Sequence, residues 1–232
     1  MTPAQTGSTH APPSAGPSHS DPGGERAATL PELIAPFRVI PVCGLDHPSE
    51  VRPLRDALVD GGLPVVELTL RAPEAMACLE AMATQPGILV GAGTVRTAAQ
   101  LRVAVAAGAA FVVSPCFTEE LAEAALDLQV PYLPGVATAG EIQRAVDAGF
   151  DTLKLFPAEA IGGLPVLRAL ADPFHDVRFV PTGGIGPVTA ASYLSHASVL
   201  AVGGGWMVPS EARARGDWAA VRSAVAEAAK LR

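Results

Sequence analysis

Lysine is nearly missing from this chain: among 232 residues only Lys154 and Lys230 carry it, and the remaining cations are arginines. Aromatic residues are scarce too, at 5% beside 49% hydrophobic residues, so the apolar mass is Ala, Val and Leu, the material of helices packed on a parallel sheet. No apolar run approaches the roughly 18 residues that cross a bilayer, which argues against a membrane protein. A net charge of −7 without a basic stripe argues against nucleic acid as a partner. The three cysteines, Cys43, Cys78 and Cys116, are scattered and form no CxxC pair. A disulfide framework and a metal cluster are therefore not expected, and the chain reads as a reduced, cytoplasmic protein. No histidine stands near a second plausible ligand, so no metal is expected.

Residues 1–27 are rich in Pro, Ser, Gly and Ala and hold no apolar segment. They cannot bury enough surface to offset the entropy of ordering them and are expected to be a disordered extension. They also lack the apolar stretch of a secretory signal. Residues 28–232 are expected to form one domain, a size usual for a single α/β barrel.

Within that domain, strand-like runs recur at regular intervals: from Val39, Val65, Ile88, Phe111, Pro131, Thr152, Arg178 and Leu200. Ala-rich amphipathic segments fill the gaps. Thr97, Thr118 and Thr138 are well placed to cap helices, and Gly108 and Gly149 to end them. Eight strand–helix units predict a closed (β/α)8 TIM barrel, with a short leading helix at about 28–37 capping its bottom. A doubly wound open sheet is the alternative, but it would bring one phosphate loop to its switch point, whereas glycine-rich turns here follow several strands.

Side chains alternate along a strand. In VVELTLR, Val66, Leu68 and Leu70 share the face expected against the helices, leaving Glu67, Thr69 and Arg71 directed inward. In TLKLFP, Leu153 and Leu155 face out, and Lys154 and Phe156 face in. A lysine between leucines in a buried strand is not a solubilising charge. Burial disfavours its ammonium form, and the free amine is the nucleophile that attacks a ketone to form a Schiff base. The competing structural reading is a Lys154–Glu67 ion pair retained in the core. Glu67 is the candidate proton shuttle, or else merely a partner for a cation. Arg71 is the candidate clamp for a substrate carboxylate, or a rim salt bridge. PTGGIGP and VGGGW, after the seventh and eighth strands, are candidate phosphate loops whose glycines, among them Gly204 and Gly205, expose backbone N–H groups.

The segments VVELTLR, GAGTV, SP, PGVAT, LKLFPAE, PTGGI and GGGW, in this order and spacing, resemble the 2-keto-3-deoxy-6-phosphogluconate aldolases, a family of which some members also act on 4-hydroxy-2-oxoglutarate. The resemblance runs from about Leu33 to the C-terminus. It implies Lys154 as the Schiff-base lysine and Glu67 as the general acid and base. It implies further that Arg71, Thr94 and Pro115 line the pyruvyl pocket and that Phe156 packs beside the imine. Thr182, Gly183 and Gly184 would reach the distal hydroxyls and phosphate. Also implied are a small phosphorylated keto-deoxy sugar acid as substrate, no cofactor or metal, a cytoplasmic location and a homotrimer. The chain departs from the pattern where Gly205 replaces a frequent serine, leaving backbone amides to hold the phosphate. Cys116 stands where glycine is common, as a reactive thiol at the mouth or an inert small side chain, and Ile161 where a polar residue is common. Two rival functions remain: a phosphosugar isomerase or epimerase using Glu67 as base, and a sugar-phosphate binding protein without turnover.

Overall fold

The computed structural model describes residues 28–232, so the expected extension over residues 1–27 lies outside the described residues. The chain runs through α1 (Leu30–Ile34), β1 (Val39–Cys43), α2 (Val51–Asp60), β2 (Val65–Thr69), α3 (Ala75–Ala83), β3 (Leu89–Gly93), α4 (Ala98–Ala106) and β4 (Phe111–Val113). It continues through α5 (Glu119–Asp127), β5 (Tyr132–Leu133), β6 (Gly135–Val136), α6 (Ala139–Asp147), β7 (Thr152–Leu155), α7 (Gly163–Ala171) and β8 (Arg178–Phe179). Last come α8 (Pro187–Leu194), β9 (Val202–Gly204), α9 (Ser210–Ala214) and α10 (Trp218–Ala229).

The three threonines do cap their helices. Thr97, Thr118 and Thr138 accept hydrogen bonds through Oγ1 from the amides of Gln100, Leu121 and Glu141. Glu141 Oε2 returns the favour by accepting from the Thr138 amide at 3.0 Å, closing a capping box. Each such cap stabilises its helix by about 1 kcal/mol. Gly108 and Gly149 follow α4 and α6 at φ 94° and 91°, a left-handed turn that glycine makes without steric cost.

Parallel pairing runs β5-β4-β3-β2-β1-β9 on one side and β6-β7-β8 on the other. The two halves join twice. Between β5 and β6 stands Pro134, which has no N–H for the ladder but accepts from the Lys154 amide at 2.8 Å. β5 and β6 are thus two halves of one stave, the first paired with β4 and the second with β7. Between β8 and β9 the seam is closed by Gly203 donating to the Pro181 carbonyl and Leu200 to that of Phe179, both at 2.9 Å. Eight staves therefore close on themselves. An open doubly wound sheet would leave two unpaired edges, and here the first strand pairs with the last.

Two apolar clusters separate inside from outside. Val66, Leu68, Leu153 and Leu155 belong to the layer between sheet and helices, as the alternation predicts. Ile40, Val65, Phe111, Val113, Leu133 and Val180 fill the lower lumen, and Leu30 and Ile34 of α1 close it from below. The capping helix is shorter than the 28–37 expected. With the bottom closed by hydrocarbon, the charged side chains inside the barrel, Glu67 and Lys154, stand above it, while the buried Thr152 at the start of β7 marks the lower end.

Candidate active site

Glu67 stands in the middle of β2, the second stave, and Lys154 in β7, the sixth. These staves are diametrically opposed in a ring of eight, so the two side chains meet across the lumen. Lys154 Nζ donates to both carboxylate oxygens of Glu67, at 3.0 and 3.2 Å. Their side chains are only 6% and 5% exposed, so water hardly screens the contact. The Phe156 ring lies 5.4 Å from Nζ, within range for its π face to favour a cation there. Removing one member of such a buried pair would strand the other, at a cost of about 3–5 kcal/mol.

The meeting depends on missing side chains. A Cβ at Gly93 would stand 2.6 Å from Glu67 Cγ and closer still to Oε1. One at Gly91 would strike the Phe111 ring, one at Gly135 the Pro115 carbonyl, and one at Gly203 the Thr182 hydroxyl at 2.5 Å. The glycines of GAG and PG thus hollow the lumen so that long side chains can span it. Gly93→Ala is expected to displace the Glu67 carboxylate and to cost about 1–3 kcal/mol of stability. Thermal melts and turnover measured together check it; unaltered values for both would mean that the carboxylate has room to yield.

Beside the pair, the C-terminal ends of β1, β2 and β9 enclose a cavity of about 400 Å³ lined by Val42, Cys43, Gly44, Thr69, Arg71 and Gly205, among others. Arg71 is exposed at its edge and donates through Nε to Thr69 Oγ1 at 3.3 Å. The Thr69 hydroxyl in turn donates to the Cys43 carbonyl. Arg71 lies past the end of β2, two inward positions beyond Glu67, with Thr69 between them. Burial pushes the Cys43 thiol up to about 12, so it is a hydrophobic wall rather than a nucleophile. Cys116 is exposed.

The other expected residues gather on the same rim. Thr94 follows β3 with φ 60°, an uncommon left-handed conformation for a threonine. Pro115 follows β4, and its backbone packs against Gly135. Thr182 is buried beside Gly203, while Gly183 and Gly184, at φ 103° and 79°, turn the chain away from β8. Among the described residues neither of their amides donates a hydrogen bond, so both N–H groups are available to an anion. Gly204 has a packing reason to lack a side chain, because the Trp206 ring occupies the place of its Cβ. Gly205 is exposed and faces the cavity.

Three constellations escaped sequence reasoning. Arg213 of α9, also on the cavity wall, donates to Asp46 and Glu50 at 2.8 Å each. Ser114 shares a 2.6 Å hydrogen bond with Tyr132 and donates to the Cys116 carbonyl, which fixes the turn carrying Pro115. Tyr193 donates to Glu159 at 2.6 Å. Apart from the Ser114–Cys116 contact, each joins residues distant in sequence, and no local period announces such pairs. Among the described residues no three His, Cys, Asp or Glu side chains converge as metal ligands, and no helix is long and apolar enough to cross a membrane.

Comparison with known proteins gives consistent results. A family model described as KDPG and KHG aldolase matches residues 31–224. The 2-dehydro-3-deoxy-phosphogluconate aldolase of Pseudomonas aeruginosa is 42% identical over 205 residues, which are 88% of this chain and 93% of that protein. The 2-keto-3-deoxy-6-phosphogluconate aldolase of Zymomonas mobilis ZM4, crystallised with 3-phosphoglycerate, superposes with a TM-score of 0.82 at 41% identity, over 88% of this chain and 96% of that one. The KDPG aldolase of Legionella pneumophila, with pyruvate captured at low pH as a covalent carbinolamine intermediate, superposes with a TM-score of 0.83 at 40% identity, over 85% and 97%.

Proposed function

Since the chain belongs to the KDPG and KHG aldolase family, we propose that it cleaves 2-keto-3-deoxy-6-phosphogluconate to pyruvate and glyceraldehyde 3-phosphate through a Schiff base on Lys154. The observation that carries this reading is the buried contact at 3.0 Å between a primary amine and a carboxylate, at the mouth end of a closed barrel.

The contact supplies both halves of the chemistry. Glu67 is the acceptor for the proton that Lys154 must shed before its nitrogen can attack C2 of the keto acid. The same carboxyl then protonates the carbinolamine hydroxyl, which departs as water and leaves a cationic imine. The imine withdraws electrons as Glu67 takes the C4 hydroxyl proton, the C3–C4 bond breaks, and the aldehyde forms. The enamine is protonated at C3 and hydrolysed, which releases pyruvate and regenerates the amine. One carboxyl acting alternately as acid and base serves every proton transfer, because successive reacting atoms pass within its reach. The Phe156 face favours the cationic imine. Arg71 holds the C1 carboxylate, Thr94 and Pro115 shape the pyruvyl pocket, and Thr182, Gly183 and Gly184 with Gly204 and Gly205 receive the distal phosphate.

In this reading 4-hydroxy-2-oxoglutarate is a second substrate, and neither metal nor organic cofactor takes part. Residues 28–232 act as one catalytic domain, and the protein works as a cytoplasmic homotrimer; assembly and location are supported by the family resemblance alone. The test is chemical trapping. Borohydride added with pyruvate should reduce the imine and attach a lactyl-sized mass to the peptide containing Lys154. Full cleavage activity with no adduct would remove the Schiff-base route and favour an isomerase or epimerase.

A further inference from the structure

The phosphate loop is held from behind by a pair that the mechanism leaves unused. Glu159 follows Phe156–Pro157–Ala158 at the end of β7, and Tyr193 lies on the last turn of α8. Tyr193 is 1% exposed and donates to Glu159 Oε1 at 2.6 Å. Burial, and then that hydrogen bond, hold its phenol above the usual range, so it stays a donor. The span that the pair bridges contains Thr182, Gly183 and Gly184.

Glu159 touches that loop through backbone and stem. The Ala158 and Glu159 amides donate to the Thr182 and Gly183 carbonyls at 2.8 and 3.0 Å. The Glu159 Cβ and Cγ fill the space beside Gly184, at 2.7 and 3.0 Å from where its Cβ would be. The carboxylate is drawn over Gly163, at the start of α7, where the helix dipole favours negative charge. Left free, a carboxylate so near two open amides would occupy or repel whatever anion they are meant to receive. Tied to the phenol, it is withdrawn, and both amides are left without an acceptor among the described residues.

We propose that the Tyr193–Glu159 hydrogen bond is a latch that sets the Thr182–Gly184 loop for the phosphate of the substrate. This rests on the aldolase reading for its substrate, and it makes Tyr193 and Glu159 positioning residues rather than catalytic ones. Both stand apart from the imine chemistry, so they act on the phosphorylated end alone.

The experiment compares KM and kcat for 2-keto-3-deoxy-6-phosphogluconate with those for 4-hydroxy-2-oxoglutarate, which carries no phosphate. Tyr193→Phe keeps the ring and removes one hydroxyl. It is expected to raise KM for the phosphorylated substrate about tenfold and to move KM for the other by less than about twofold. Adding Glu159→Ala to Tyr193→Phe removes the untied carboxylate and should bring KM for the phosphorylated substrate most of the way back, and Glu159→Gln alone, which retains an acceptor for the phenol, should keep that KM within about twofold of wild type. A rise in both KM values together would mark a merely structural bond and overturn the latch, as would no rise in either. Phosphorus NMR titration of inorganic phosphate against wild type and Tyr193→Phe reads the loop without any turnover. Weaker phosphate binding in the variant supports the latch, and equal binding overturns it. Failure of pyruvate trapping in the wild type would sink the aldolase reading while leaving that titration to decide the latch.

Discussion

Lys154→Arg should lower turnover by on the order of 10⁴-fold or more, the scale seen when a covalent nucleophile is removed. The substitution keeps a cation opposite Glu67, so the buried carboxylate is not stranded and folding survives, as circular dichroism would verify. A guanidinium, however, stays protonated at any working pH and cannot add to a carbonyl as a free amine. The variant thereby separates a structural ion pair, which arginine would preserve, from a Schiff-base nucleophile, which it would destroy. Lys154→Ala should match it in activity and fall below it in stability, because the Glu67 carboxylate would then lie buried without a partner. Appreciable cleavage by Lys154→Arg would refute the assignment of the nucleophile.

Glu67→Gln is expected to reduce kcat by about 10²–10⁴-fold, the usual worth of a positioned general acid or base. The amide has the shape of the carboxyl, so the space that Gly93 leaves is filled as before, although loss of the charge opposite Lys154 is expected to lower stability. One hydrogen bond from Lys154 remains possible, but no proton can be taken up or returned. The lysine can still attack pyruvate, with water as a slow substitute for the acid. Borohydride should therefore trap an adduct in this variant, more slowly than in wild type, while multiple-turnover cleavage is nearly lost. The split between trapping and turnover is the diagnostic result. Turnover within about threefold of wild type would transfer the proton work to another group.

Much of the barrel was legible because its cause is local and periodic. Strand, helix and strand follow one another at a spacing that leaves little room for other topologies, and Thr97, Thr118 and Thr138 mark helix starts through bonds to residues three positions on. The break at Pro134 was not read from the sequence, which offered the run from Pro131 as one strand; that one stave is shared between two half-sheets needed the neighbours β4 and β7 to be in place. Arg213 with Asp46 and Glu50 spans more than 160 positions, and nothing near Arg213 hints at where its partners lie. Tyr193 and Glu159 were invisible for the same reason.

What the sequence determined by itself was the type of chemistry and the side of each strand from which it acts. A near-solitary lysine flanked by leucines, and a glutamate flanked by valine and leucine, each had to turn away from the helices, because alternation along a strand leaves no other direction. What only the tertiary structure decided was that these two groups touch. Closure of the ring puts the second and sixth staves opposite each other, and the glycines beneath them empty the space between. A distance across a barrel depends on strand tilt, register and the volume of every neighbour, and no span of local sequence encodes it.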